Sequence, residues 1–162
     1  MSGMIAHHAQ AVLIAEWVGD VGRGASPAIR VLSERIIVGQ RDEIAFARRW
    51  LEERRQPVPS DSGHAHPLQP THGPLMPGML TPDQLDQLVR AQGAEFDRLF
   101  LTLMIQHHEG ALTMVQQLLG AQGAAQDGLV FRFAADVHAD QTTEIDRMRR
   151  MLAALPAGGE RP

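Results

Sequence analysis

MIQHHEGALTM, residues 104–114, sets two adjacent histidines in an apolar run with a methionine at each end. One hundred residues earlier the chain reads MIAHHAQAVLI, residues 4–14. A second echo links QRDEIAFARRWL at 40–51 to QTTEIDRMRRML at 141–152. The order M-I-x-H-H then Q-x-x-E-I, met twice, predicts two copies of one unit.

All four segments carry the helical period. Met104, His108, Ala111, Val115 and Leu118 fall on one stripe, and Met4, His8, Ala11, Ala15 and Val18 repeat its spacing. Ile36, Gln40, Glu43, Ala47 and Trp50 make a third stripe; Phe131, Ala134, His138, Gln141, Ile145, Met148 and Leu152 make a fourth. Polar side chains therefore lie inside apolar stripes. Between stripes, Gly19 to Ala25 and Gly120 to Gly128 read as loops, and Ser26-Pro27 reads as an N-cap followed by proline at the first helical position.

The pattern predicts an all-α fold in one domain over 1–155: a four-helix bundle of two repeated helical hairpins, 1–55 and 94–155. Residues 56–80 hold six of the ten prolines and read as an irregular crossover. Thr81-Pro82-Asp83-Gln84 is a capping box that opens a short helix over 81–93, expected to close one end of the bundle. Residues 156–162 read as a disordered tail. The first copy begins only three residues before Met4, whereas Asp97, Phe100 and Leu103 run ahead of Met104. That asymmetry predicts an N-terminal piece upstream of Met1.

Composition narrows the function. The 162 residues carry a formal charge of −4 with every cation an arginine, so no basic patch suited to nucleic acid or an anionic membrane is apparent. Without cysteine there is no thiolate chemistry and no disulfide. No apolar run is long enough to span a membrane. Phosphate loops, the G-x-S-x-G elbow and H-E-x-x-H are absent from the sequence.

Metal binding is the chemistry that the doublets suit. Neighbours on a helix point about 100° apart, so His107 and His108 do not grip one ion together. Met104 with His108, and Met4 with His8, do share a face, and His107 shares one with Met114. A thioether and an imidazole one turn apart suit Cu(I) or Ag(I) over Mg2+ and Ca2+, while zinc stays open through imidazole and carboxylate. His138, Glu43 and Glu144, with Gln40 and Gln141, either ligate or orient a ligating histidine through its other ring nitrogen. Two other readings stand beside this one. A degenerate dinuclear iron oxidase would use the glutamates, although no Glu has a His three residues on. A module without metal would use the histidines as a polar core and bind other proteins. His64, His66, His72, Met76 and Met79 in the crossover read as solvated loop residues or a loose metal-capturing tract.

The M-I-x-H-H and Q-x-x-E-I pairs, with MPGMLTPDQL at 76–85 between them, resemble the bacterial family called domain of unknown function 305 from Met4 to about Leu152. The resemblance implies a ferritin-like bundle, commonly exported or membrane-anchored, with copper or silver binding in some members. Carried over by motif, the ligands fall on His7, His8, His107, His108, Met4, Met104 and Met114; Ile14 replaces the methionine that would match Met114. The expectation is an extracytoplasmic protein that sequesters or hands over copper without turnover, with zinc or iron as the alternative metals. A homodimer is compatible with it.

Overall fold

The computed structural model describes residues 1–20, 23–59, 75–123 and 126–156, and among them holds five α-helices, one 3-10 turn and no strand. Helix α1 (Ser2–Glu16) pairs with α2 (Pro27–Glu53) across the 3-10 turn Trp17–Gly19. Helix α4 (Gly93–Gly120) pairs in the same way with α5 (Gly128–Ala154). Helix α3 (Pro82–Arg90) packs on α4. Most of the crossover, with His64, His66 and His72, and all but Pro156 of the tail lie outside the described residues.

The helix starts follow the local chemistry. The Ser26 side chain accepts from Ile29 N–H with Pro27 at the first position, and Thr81 and Gln84 complete the capping box. Asp127 caps α5 by accepting from the N–H groups of Leu129 and Val130. The short helix ends earlier than the sequence suggested, at Arg90, because Ala91 is extended. Gly93, at φ +58°, then turns the chain into α4, a conformation that glycine adopts without steric cost. Leu85 and Leu88 fill the end of the core beside Ala25, Ile29 and Phe96. Hydrogen bonds from two side chains tie this end together: Arg23 donates to the carbonyls of Leu88 and Val89, and Asp97 accepts from Ser26 N–H.

The core is interrupted. One apolar cluster contains Ala11, Ile14, Leu32, Ile36, Phe100, Met104, Ile145 and Met148; the other contains Met4, Ile5, Ala47, Leu51, Val115, Phe133, Ala134 and Val137. On each long helix the change of cluster is marked by buried polar residues: His7 and His8 on α1, Gln40 on α2, His107 and His108 on α4, Gln141 and Glu144 on α5. Met4 packs at the Val115 end of α4 and Ile14 at the Phe100 end, so α1 runs antiparallel to α4. The motif's histidines therefore meet at mid-height, while its methionines part.

Candidate metal centre

The four doublet histidines are shut from solvent, His8 at 1 % exposure and the others at 0 %. His7 and His107 face each other with ring centroids 3.9 Å apart and planes tilted by 38°. His7 Nε2–H donates to the Pro77 carbonyl at 2.9 Å, which fixes its tautomer and leaves Nδ1 with a lone pair and no protein partner. On the flanks, His108 Nε2–H donates to Glu144 Oε2 at 2.7 Å. His8 Nε2 lies equally close to Glu43 Oε2, at 2.7 Å, but off the hydrogen-bonding direction, so both atoms stay unsatisfied. Both ring nitrogens of His107 and the Nδ1 atoms of His8 and His108 are likewise buried without a protein partner.

Burial dominates the electrostatics. It pushes His7 down to about 4, helped by the neighbouring His8 and resisted by the Pro77 hydrogen bond. Complete burial pushes His107 well below the ordinary histidine range, and His7 and His108 reinforce the shift. The His7 carbonyl opposes it from outside hydrogen-bond geometry. Both inner imidazoles are thus neutral at pH 7, the form whose lone pairs ligate metals. At the outer edge of the layer, burial and then the carboxylates of Glu43, Glu144 and Asp136 raise Asp140.

A strap from the end of the crossover covers the layer on the α1/α4 side. Pro77 and Gly78 lie directly on Gly110 of α4, where a Cβ on Gly110 would come within 2.1 Å of the Pro77 oxygen and one on Gly78 within 2.6 Å of Gly110 Cα. Gln10 of α1 clamps the strap further along, donating to the Leu80 carbonyl and accepting from Leu80 N–H. This seats Met76 beside Met114: a Cβ placed on Gly3 would touch Met76 Sδ at 3.5 Å and Met114 Cε at 3.6 Å. Gly3 precedes His7 by one helical turn, so the two methionines meet about a turn from the inner histidine pair, on the side of the apolar cluster against which Met114 packs.

The expected residues separate into groups. His7, His8, His107, His108, Glu43 and Glu144 come together in the polar layer, and Met114 lies a turn away beside Met76 of the crossover. Met4 and Met104 lie in different apolar clusters on opposite sides of the layer. His138 must be corrected: it is exposed, because α5 turns Ala134, Val137, Gln141, Glu144 and Met148 inward and His138 follows Val137 by about 100°. Among the described residues, no three histidine or carboxylate side chains close around a single point as a finished ion cage. The buried nitrogens nonetheless fit a metal, since an orphaned imidazole lone pair is costly in an apolar interior and a soft cation is a chemically suitable partner.

Residues 1–152 match the model of the family described as domain of unknown function DUF305. Among solved structures, a DUF305 protein from Streptomyces coelicolor is 27 % identical over 99 % of this chain and 94 % of its own, with a TM-score of 0.78. A DUF305 fragment from Deinococcus radiodurans is 28 % identical over 94 % and 91 %, with a TM-score of 0.71. CopM in its Cu(II)-bound form is 26 % identical over 94 % and 92 %, with a TM-score of 0.72, and CopM has also been solved with Cu(I) and with silver. None of the curated proteins compared matches the chain.

Proposed function

The chain belongs to the DUF305 family, and from that premise we propose that it binds copper, as Cu(I) foremost, with silver as its mimic, for sequestration or handover outside the cytoplasm and without turnover. The observation that carries this reading is the set of six imidazole nitrogens of His7, His8, His107 and His108 buried without a protein partner. Each such group costs about 1–3 kcal/mol in a folded interior, so a layer of them lowers stability unless a ligand uses it. CopM, similar over nearly the whole chain, is known in forms bound to Cu(I), Cu(II) and silver, which supports the same class of cargo. A Streptomyces coelicolor relative named as a candidate secreted protein supports the location. No helix among the described residues is long and apolar enough to cross a membrane.

In this reading the two hairpins form a ferritin-like four-helix bundle whose inner pair, His7 and His107, supplies imidazole nitrogen. Met114 and Met76 supply thioether sulfur from about a turn away. Glu144 holds His108 in place through its hydrogen bond and leaves Nδ1 for the cation, while Glu43 approaches His8 Nε2 at 2.7 Å without bonding it. The soft and borderline donors select Cu(I) over hard cations.

An anaerobic Cu(I) competition against a chromophoric chelator, with protein purified without a His-tag, tests this. Uptake with micromolar or tighter affinity is expected, weakened about tenfold or more by His108→Ala. Equal uptake by wild type and by a variant lacking all four doublet histidines overturns it. Fe(II) uptake with oxygen consumption would favour the iron oxidase instead. An unchanged melting curve with Cu(I), Zn(II) and Fe(II) would favour a polar-core interaction module.

A further inference from the structure

His7 lies one residue's thickness from solvent. It turns its Nε2 to the strap, whereas His8 and His108 reach the other way, to Glu43 on α2 and Glu144 on α5. What stands between His7 and water is Pro77, itself only half-buried, whose carbonyl accepts the Nε2 proton. Met76-Pro77-Gly78-Met79 is a type II turn: Met79 N–H donates to the Met76 carbonyl at 3.1 Å, proline holds the second position, and glycine takes the third at φ +76°. The strap is thus a preformed unit with its own internal bond.

Its fastenings are uneven. Met76, Pro77 and Met79 belong to neither apolar cluster, whereas Leu80 is buried in the larger one. Gln10 grips the Leu80 backbone with two hydrogen bonds, and the Thr81 capping box continues the hold into α3. Ahead of that root, the turn is held over the layer by the Pro77 bond to His7 and by the contact of two glycines, Gly78 with Gly110. Gln10 stands two residues after His8, as Gly110 stands two after His108. The same position of the repeat therefore serves as a clamp in one copy and as a bare seat in the other.

We infer that the strap is the gate to the histidine layer: it lifts as a unit about its root at Leu80, breaks the His7–Pro77 bond, and opens His7 and His107 to a small solute while the helices stay folded. A segment with few buried apolar contacts and a single latch opens at far lower free energy than the bundle as a whole. As the route for Cu(I), the gate rests on the copper reading; as the route by which any small reagent meets these two imidazoles, it does not. Entry and exit share one path. Loosening the root therefore quickens loading and release together and leaves affinity nearly unchanged.

Two measurements on the full chain test the gate. Diethyl pyrocarbonate, a small reagent that acylates unprotonated imidazole, is applied to the metal-free protein at mildly alkaline pH. Initial rates are followed at each histidine by peptide mass spectrometry, with the exposed His138 as the reference. His7 and His107 should react more slowly than His138 but ahead of His8 and His108. Gln10→Leu, which removes both bonds to the root, should quicken His7 and His107 about tenfold or more and leave His8 and His108 within about twofold. Pro77→Ala keeps the carbonyl but loosens the turn, and should act in the same direction. Stopped-flow transfer of Ag(I) to and from a chromophoric chelator should show loading and release raised by a similar factor in Gln10→Leu, with the dissociation constant within about threefold. Reaction at His8 and His108 as fast as at His7 and His107, or rates unchanged in both variants, overturns the gate. So does an Ag(I) affinity altered tenfold with loading unchanged. A protein that takes up no Ag(I) yet shows the expected order of modification would count against the copper reading and leave the gate standing.

Discussion

His7 and His107, one hundred residues apart in sequence, meet with tilted rings 3.9 Å apart in the middle of the protein, and neither carries charge at neutral pH. A leucine in place of His107 would leave no ring nitrogen unpaired there. The histidines are there at a cost to stability, and several outcomes follow from that cost.

His107→Leu should raise the melting temperature of the metal-free protein, because it removes two buried nitrogens that have no partner while keeping side-chain volume. A gain of about 1–2 kcal/mol is expected, read by thermal or urea denaturation. The same variant should lose the stabilisation that Ag(I) gives to wild type. A loss of metal-free stability would show that the ring is a satisfied structural group.

The metal-free protein should weaken as the pH falls. His7 titrates near 4 when folded and near 6.5 when unfolded, so below 6.5 the unfolded chain binds a proton that the folded one refuses. Its contribution is complete above about pH 7 and is lost as the pH drops to about 4, where the folded form also protonates. The total is on the order of 3 kcal/mol from this residue, and His107 adds in the same direction. Urea midpoints measured at several pH values between those limits check the slope; in His7→Gln the slope should be shallower.

Met76→Leu and Met114→Leu should each weaken Ag(I) binding by about tenfold, whereas Met4→Leu and Met104→Leu should leave it within about twofold. All four swaps nearly conserve volume, so folding is preserved and the comparison isolates the sulfur. If Met4 and Met104 prove to be the sensitive pair, the thioethers act from inside the apolar clusters and the strap has no part in binding.

Gly110→Ala should cost about 2–3 kcal/mol or more, since its Cβ would collide with Pro77 backbone atoms that cannot give way as a flexible side chain can. Gly78→Ala should cost at least as much, adding strain at φ +76°. Either variant should also perturb the His7 ring resonances in NMR spectra, because Pro77 holds that imidazole.

Much of this was legible in the residues. The repeated doublets, their helical spacing and the two capping signals at Ser26 and Thr81 give the helices and their pairing, because each rests on contacts within a turn or two of chain. The doublets also gave the polar layer. What the sequence left out is direction and close approach. That α1 runs antiparallel to α4 sends Met4 and Met104 to opposite ends, and no local pattern encodes it. The seat of Met76 depends on two glycines, Gly78 and Gly110, touching across thirty-two residues of chain. His138 was misplaced for a smaller reason: its stripe was drawn one residue past Val137, and one residue on a helix is more than a quarter turn.

The interrupted core has a mechanical consequence. Two apolar bodies joined through a polar layer are a seam, and seams open before solids do. The body around Val115 and Val137 is the smaller of the two and holds the loop ends of α4 and α5, so its amides should exchange with solvent before those around Phe100 and Met148. A cation seated among the histidines would act as a rivet through that seam, and amide exchange would then slow on both sides of it together.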